Sequence, residues 1–331
     1  MQRVLVVGGA GYIGSHTCKA LRQEGFEPVA FDNLASGFRK NVRWGPFVQG
    51  DILDPGALGT AIRDYEPCAI IHFAARAYVA ESVTDPALYY STNVTGTLNV
   101  VEAARRGGDV PVIFSSSCAT YGVPETVPIT EETPQRPINP YGQSKLIGEQ
   151  ILRDYAAAYA LRAIGLRYFN ACGADPEGET GENPGEMTRL IPNAIRALLT
   201  GEPFTVFGDD YATGDGTAVR DYIHVSDLAA AHVAALQALL GGSQTDFFNV
   251  GTGTGISVAE IVETLGRVSG QLVPIRTGPR RAGDPPVLIA ACDKASQELA
   301  FHPRYSDVET ILSTALSWSM AQYGNLTRET A

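Results

Sequence analysis

The chain has 331 residues, and its 44% hydrophobic and 18% charged content is typical of a globular enzyme with one large domain or two joined ones. The formal net charge of -11 argues against a broad electrostatic surface for nucleic acid or for an anionic membrane. An anionic ligand would therefore have to be held by a few placed groups.

The cysteines and the beginning of the chain bear on its compartment. The five cysteines are widely spaced, contain no Cys-x-x-Cys pair and predict neither a disulfide framework nor a metal site. The apolar run from Val4 to Val7 is too short for a signal peptide, and no apolar stretch approaches the roughly 18 residues of a membrane helix. We therefore expect a cytoplasmic protein with no membrane partner.

Short β-rich runs alternate with longer helical patterns through the first half of the chain. This alternation predicts a Rossmann-type α/β fold, a doubly wound parallel sheet with helices on both faces. One helix has a clear start, since Asn139 can cap its free amides and Pro140 suits its first position. Strands are predicted at residues 3–7, 28–31, 47–49, 69–73, 111–115 and 163–167, and helices at 15–23, 55–65, 86–106 and 141–159.

The pattern changes after Asn170, because residues 175–185 are rich in Gly, Pro and Glu and predict an exposed loop. We expect a nucleotide-binding domain at 1–170 and a smaller α/β substrate domain at 171–331, with segments near 221–250 as candidates to return to the first domain. Helices are predicted at 188–199, at 226–240 and twice near the end, strands at 205–207 and 247–250, and a turn at 208–216.

The first predicted strand ends in a glycine motif, Gly8-x-x-Gly11-x-x-Gly14, where the chain must turn into a helix. Glycines allow a tight turn and let the backbone touch a pyrophosphate, whose charge is favoured by the amides at the helix start. A structural turn without a ligand is the alternative for this motif taken alone.

The second predicted strand ends at Asp32, about 20 residues past the glycines, where an acid can accept hydrogen bonds from the adenosine ribose. A 2′-phosphate would be repelled there, so NAD is expected rather than NADP. A solvated turn is the alternative for Asp32. Asp51 is placed to reach the adenine, or equally to serve a turn or a helix cap.

A possible acid–base group follows in the helix that begins near Pro140. Tyr141 and Lys145 are four positions apart, which places them on one helix face. Removing an alcohol proton while a hydride leaves requires a base, and a nearby ammonium or nicotinamide would favour the phenolate. The strand that ends in Ser117 supplies a hydroxyl as a third group. We therefore expect Tyr141, Lys145 and Ser117 to be catalytic.

Several segments together resemble the extended short-chain dehydrogenase/reductase family, and within it the epimerases that invert carbon 4 of a UDP-hexose. The similarity runs over nearly the whole chain, and the second-half signature is more specific than the glycine loop. The matching segments are 8–16, 32–34, 72–75, 115–117 with 121–122, 141–145, 207–217 and 220–225.

The resemblance implies NAD as cofactor, a UDP-sugar as substrate and a homodimer that pairs the helices near 88–104 and 146–159. Tyr141 would take the 4-hydroxyl proton, Lys145 would bind the nicotinamide ribose and Ser117 would contact the sugar oxygen. The implied cofactor contacts are Gly8, Gly11, Tyr12, Ile13, Gly14, Asp32, Asn33, Leu34, Ser36, Gly37, Asp51, Ile52, Phe73, Ala74, Ala75, Asn93, Tyr141, Lys145 and Phe169.

The same resemblance implies a substrate-binding site in which Arg220 and Arg281 bind the diphosphate. Position 189 is Arg where many of these epimerases have Asn. Leu288 stands where some have a bulky Tyr, and it either admits N-acetylated sugars or simply packs. The implied substrate contacts are Ser117, Tyr141, Asn170, Arg189, Leu190, Thr205, Val206, Phe207, Arg220, Arg281, Asp284 and Leu288.

Residues 118 and 119 bear on whether another reaction known for this fold, elimination of water, is open to this chain. Nucleotide-sugar 4,6-dehydratases carry an Asp-Glu pair there, whereas this chain has Cys118 and Ala119, so elimination should not follow oxidation. Epimerases of UDP-N-acetylhexosamines or UDP-pentoses remain open, and so does a net nucleotide-sugar oxidoreductase. A regulatory NAD(H) sensor is a third class, against which the intact Ser117, Tyr141 and Lys145 argue.

Overall fold

The computed structural model describes the backbone of residues 1–183, 189–281 and 284–329, with side chains up to Gln322. A seven-stranded sheet lies at its centre, with the order β10-β6-β5-β4-β1-β2-β3 and every neighbouring pair parallel. The predicted Rossmann-type fold is therefore confirmed. The strands are β1 (Arg3–Val7), β2 (Glu27–Asp32), β3 (Phe47–Gln49), β4 (Ala69–His72), β5 (Val112–Ser115), β6 (Ala163–Tyr168) and β10 (Asp246–Val250).

Helices cover both faces of this sheet. One face packs Leu21 and Leu228 against the strands, and the other packs Leu58, Val100 and Leu152. These helices are α1 (Tyr12–Gln23) and α8 (Val225–Leu240) on the first face, and α2 (Pro55–Tyr65), α5 (Gly96–Arg106) and α6 (Pro140–Ala158) on the second. Two short helices, α3 (Val79–Thr84) and α4 (Pro86–Tyr89), precede α5.

The strand order creates a crevice at one edge of the sheet. The chain proceeds outward from β1 to β2 and β3, and then returns to β4 on the other side of β1. The segments after β1 and β4 therefore start from neighbouring strand ends and lead on to helices on opposite faces, α1 and α5, an arrangement at which ligands bind in open α/β sheets. The glycine motif follows β1, and Phe73 follows β4.

A smaller unit follows β7 (Asn170–Cys172). Its core includes Ile191, Ile261 and Ile311. Strand β9 (Val219–His224) pairs with β7, β11 (Gly255–Ser257) and β13 (Val287–Leu288), while β8 (Phe204–Phe207) pairs with β12 (Ile275–Gly278). Its helices are α7 (Leu190–Thr200), α9 (Val258–Ser269) and α11 (Val308–Glu329), and α10 (Asp293–Leu299) lies beside β10. Because β10 pairs with β6 and α8 packs on α1, residues 225–250 lie with the central sheet.

Two local expectations were wrong. The helix predicted at 86–106 is interrupted by a wider π turn over Tyr90–Thr95, which lies between α4 and α5. The segment from residue 175 is not simply exposed, because Asp175 is 6% exposed and Thr180 is fully buried. Residues 184, 185 and 188, parts of the loop and helix predicted there, lie outside the described residues. Among the helices that the structure describes, none combines the length and apolar character needed to span a bilayer.

Candidate functional site

The glycine loop forms one wall of the crevice. Gly8 has φ of +88°, and a Cβ there would lie 2.7 Å from the Ala74 amide nitrogen, so the loops after β1 and β4 meet at this glycine. A Cβ at Gly14 would overlap the Gly8 carbonyl. Helix α1 starts directly after Gly11 with no side-chain cap and no acidic residue in its first turn. Its first amides therefore suit an anion such as a pyrophosphate.

Asp32 at the end of β2 is bound to the backbone around it. Its carboxylate accepts hydrogen bonds from the amides of Ala10 at 3.0 Å and Leu34 at 2.8 Å. Burial raises the pKa of Asp32, and these two amides counteract that shift. Asp32 thus joins the glycine loop to the following turn. Asp51 accepts hydrogen bonds from the Asn33 side chain at 2.9 Å and from its own turn.

The catalytic candidates meet at the carboxyl end of β5. Tyr141 and Lys145 are 8% and 4% exposed on the first turns of α6, and Ser117, 7% exposed, follows β5. The Ser117 hydroxyl is close enough to the Tyr141 phenol to lower the pKa of that phenol. The Lys145 ammonium donates to the Ser115 carbonyl oxygen at 2.7 Å, so the helix and the strand end are joined.

Burial sets the charge of this group. It raises the pKa of the Tyr141 phenol well above its usual value, although the nearby Ser117 hydroxyl partly opposes the rise. Burial also lowers the pKa of Lys145 to about 7. The protein groups alone therefore favour a protonated phenol, so Lys145 by itself does not bring the pKa of Tyr141 toward neutrality. A positive charge beside the phenol is needed to make it a base near neutral pH.

Tyr168 belongs to this cluster, and the sequence analysis missed it. Its hydroxyl lies 2.5 Å from the Ser115 hydroxyl, and it is close enough to Tyr141 to raise the pKa of that phenol. The signal was its position at the carboxyl end of β6, directly before the predicted Phe169. Asn93 lies in the π turn, where its amide bonds the Arg76 backbone and the Ser144 hydroxyl.

The predicted substrate residues gather on β8, β9 and β13. Arg220 on β9 forms an ion pair with Asp284 at 2.5 Å, and Leu288 lies beside Arg220 in the strand register. Arg281 places its guanidinium 4.2 Å from the centroid of the Phe207 ring. Arg220 and Arg281 both lie near enough to the Tyr211 phenol to oppose the rise in its pKa, so the two cations lie on one part of the second unit. Two guanidiniums and an aromatic face suit recognition of a nucleoside diphosphate.

Packing joins this surface to the catalytic group. Leu288 packs in one apolar cluster with Phe169 and Cys118, and Cys118 directly follows Ser117. Burial raises the pKa of the Cys118 thiol to about 12, so it supplies no thiolate. Asn170 donates its side-chain amide to the Asp221 carbonyl oxygen at 2.9 Å and thereby holds β7 to β9.

Arg189 lies beside Tyr12 of the glycine loop and near enough to Tyr168 to lower the pKa of that phenol. Its guanidinium pairs with Glu182 at 2.5 Å and lies 5.1 Å from the centroid of the Tyr12 ring. Tyr12 in turn donates its hydroxyl to the Gly173 carbonyl at 2.6 Å. Leu190 begins α7 beside Arg189. These contacts place Arg189 where the glycine loop meets the second unit.

A segment that we name the strap, residues 173–182, crosses α1 next to Tyr12. Lys19 on α1 is 7% exposed and binds three strap carboxylates: Asp175 at 2.8 Å, Glu177 at 2.7 Å and Glu179 at 2.8 Å. The hydroxyls of Ser15 and Thr180 lie 2.9 Å apart. The strap therefore ties the second unit to the helix that would carry the pyrophosphate.

Comparison with known proteins gives a consistent result. The sequence profile of the NAD dependent epimerase/dehydratase family matches residues 4–251. The chain is 50% identical over 318 residues to the UDP-glucose 4-epimerase of Rhizobium leguminosarum bv. trifolii, covering 96% of this chain and 97% of that one.

Solved structures agree with this match. The UDP-glucose 4-epimerase of Brucella ovis in complex with NAD is 53% identical with a TM-score of 0.94, covering 96% of this chain and 98% of that one. The UDP-Glc/GlcNAc 4-epimerase of Campylobacter jejuni is 39% identical with a TM-score of 0.85, covering 97% of this chain and 100% of that one.

Proposed function

The chain belongs to the NAD dependent epimerase/dehydratase family, and from that premise we propose that it interconverts UDP-glucose and UDP-galactose. It is an isomerase that uses NAD to invert carbon 4 of a UDP-hexose through a 4-keto intermediate. The observation in the fold that carries this function is the buried pair of Tyr141 and Lys145 on α6, with Ser117 following β5.

The crevice fits NAD. Gly8 leaves no room for a side chain between the two loops, the first amides of α1 lack a side-chain cap, and Asp32 follows β2 where the adenosine ribose would lie. Bound NAD would supply the hydride acceptor for carbon 4 of the sugar and the hydride donor for its opposite face. We propose that Lys145 holds the nicotinamide ribose and that Tyr12 and Phe73 line the same crevice.

Tyr141 is the proposed base. Its phenol would take the proton of the 4-hydroxyl and return it after the sugar has turned over, while Ser117 would hydrogen-bond the same oxygen. Because burial keeps the phenol protonated in the chain alone, the base would become active only beside a positive charge. Removal of the 4-hydroxyl proton by Tyr141 would thus require a nicotinamide in its oxidised, positively charged form.

The second unit would hold the UDP group while the keto sugar rotates. Arg220 and Arg281 would bind the diphosphate, and the Phe207 ring would contact the uracil of the UDP group. Arg220 would exchange its pairing with Asp284 for the phosphate oxygens. With Cys118 and Ala119 after Ser117, no carboxylate stands there to eliminate water from the keto intermediate.

One observation favours a broader substrate range. Leu288 lies next to Arg220 and packs against Phe169. Its side chain is smaller than the tyrosine that some related epimerases carry at this position. The Campylobacter jejuni relative is named for both UDP-Glc and UDP-GlcNAc. We propose UDP-N-acetylhexosamines as secondary substrates.

We further propose a cytoplasmic homodimer. Apolar side chains are exposed together on α3, the π turn and α5, among them Val83 at 63%, Tyr90 at 38% and Leu98 at 41%. Such a surface is typical of an interface between proteins.

The proposed domain division assigns residues 1–170, with 225–250, to NAD binding and the rest of 171–331 to binding of the UDP-sugar.

Turnover of UDP-galactose by the purified protein tests the function. We expect UDP-glucose to form without a stoichiometric change in NADH absorbance. Replacing Tyr141 by Phe removes the base, and we expect turnover to fall by about 10²- to 10⁴-fold with NAD still bound. Stoichiometric NADH would indicate a net oxidoreductase, and NAD binding without turnover would indicate a sensor. Near-normal activity of Tyr141→Phe would contradict its assignment as the base.

A further inference from the structure

A buried ion pair lies behind the catalytic group and has no place in the mechanism above. Glu149, on α6, is fully buried, and Arg167, on β6, is 2% exposed. The Arg167 guanidinium donates to both oxygens of Glu149, at 2.9 and 2.8 Å. Although burial acts to raise it, the pKa of Glu149 is lowered by this guanidinium, so the carboxylate stays ionised. Two charges are thus kept in the core, at a considerable desolvation cost.

The pair holds both ends of the segment that carries Ser117. At one end, the Ser116 hydroxyl donates to Glu149 at 2.6 Å. At the other end, Arg167 donates to the Tyr121 hydroxyl at 2.8 Å, and that hydroxyl donates to Asn249 at 2.7 Å. Ser117 lies between these two anchors, one residue after the first and four before the second.

The same pair is linked to the base through α6. Glu149 follows Lys145 by four positions and Tyr141 by eight, so the three side chains lie along one face of the helix. A displacement of Glu149 relative to Ser116 would therefore change the position of Ser117 relative to Tyr141. Misplacement by about 1 Å within a catalytic group can cost about 100-fold in rate.

We propose that Glu149 and Arg167 are positioning residues of the 4-epimerase reaction: their ion pair fixes residues 116–121 so that Ser117 faces Tyr141. The inference rests on the proposed function, because it concerns the alignment of that same base. The pair touches neither the crevice nor the substrate surface in the contacts above, so its effect should be on turnover rather than on binding.

The test uses two variants that each remove one hydroxyl and leave the ion pair in place, Ser116→Ala and Tyr121→Phe. Their kcat and KM for UDP-galactose, bound NAD and melting temperature are compared with those of wild type. We expect kcat to fall about tenfold in each, with KM and bound NAD changed less than about twofold. The matched control is Arg153→Ala, which removes a partly exposed donor to Glu149 at 3.1 Å that does not contact residues 116–121.

A pH profile separates positioning from a general loss of stability. The nearby Ser117 hydroxyl lowers the pKa of Tyr141, so misplacement of Ser117 should move the acidic limb of the kcat profile to higher pH. The other titratable groups that face this phenol are Tyr89, Cys118, Tyr168 and, on its own helix, Lys145. Neither variant alters these groups. Ser117→Ala provides the reference for the direction of the shift.

Each outcome decides between the proposals. A lower kcat with a shifted limb in the two variants, and neither change in Arg153→Ala, supports the positioning role. Wild-type kcat and pH profile in both variants overturn it. Loss of bound NAD or of folded protein in both variants also overturns it, because the pair then acts on the fold as a whole. Wild-type protein that does not convert UDP-galactose defeats the proposed function instead.

Discussion

At the scale of single residues, burial controls the charges of the two side chains on α6. Tyr141 is held protonated and the pKa of Lys145 is lowered to about 7, both through desolvation. The sequence placed these residues on one helix face, but it did not reveal their burial. Reactivity at this site therefore depends on what enters the crevice, since Ser117 only partly offsets the effect of burial and an added positive charge would favour the phenolate.

Lys145 should make stability depend on pH. The unfolded chain binds this proton up to a pKa of about 10.4, whereas the native chain releases it above about 7. Between those values the unfolded state binds more protons, so the free energy of unfolding contributed by Lys145 rises with pH and is lost as pH falls toward 7.

The measurement is thermal unfolding of wild type and Lys145→Met at pH 7, 8 and 9. We expect the stability of wild type relative to the variant to increase across this series. A difference in melting temperature that stays constant with pH would show that Lys145 is not desolvated in the native protein.

At the scale of elements, the strap and α1 form one assembly. Lys19 answers three carboxylates, and the Ser15 and Thr180 hydroxyls add a neutral contact one helical turn away. The strap also connects onward, since the Trp318 indole on α11 donates to the Glu182 carbonyl at 2.7 Å. Helix α1 is thus linked through the strap to the last helix of the chain.

Removing the Lys19 charge should weaken this assembly. In Lys19→Met, the buried Asp175 carboxylate would lose its cation, whereas Glu177 is exposed and Glu179 keeps Arg43. We expect about 3 kcal/mol of destabilisation. Urea unfolding measures the loss. The control is Lys40→Met, because Lys40 is exposed and donates only to Gln322 among the contacts described here. Equal stability of the two variants would show that the strap carboxylates do not depend on Lys19.

At the scale of the whole molecule, the apolar surface on α3, the π turn and α5 lies on the sheet face opposite α1 and α8. If it is the dimer interface, Leu98→Arg should place a charge inside it and produce monomers, as charged groups are excluded from interface cores. Sedimentation velocity measures the change. Leu272→Arg is the control, since Leu272 is 95% exposed in the second unit. A Leu98→Arg protein that sediments like the control would exclude this surface.

Much of the first half could be predicted from the sequence. Helix α2 begins and ends where expected, and the β1 and β3 bounds agree with the structure, because apolar periodicity and cap residues act over a few positions. In the second half, β7, β9, β11, β12 and β13 were missed. Four of these strands, β7, β11, β12 and β13, are only two to four residues long, and β12 is largely exposed. Strand β9 has six residues, but Arg220 and Asp221 interrupt its apolar run.

The sequence alone determined the fold class, the glycine turn and the pairing of Tyr141 with Lys145, since each depends on residues close together in the chain. Only the tertiary structure decided which groups that are distant in sequence form ion pairs and hydrogen bonds with charged side chains. Lys19 meets Asp175 across 156 positions, and Arg167 meets Tyr121 across 46. No periodicity in the sequence reveals such contacts. The pKa of a buried group also depends on which charged and hydrogen-bonding neighbours surround it once water is excluded.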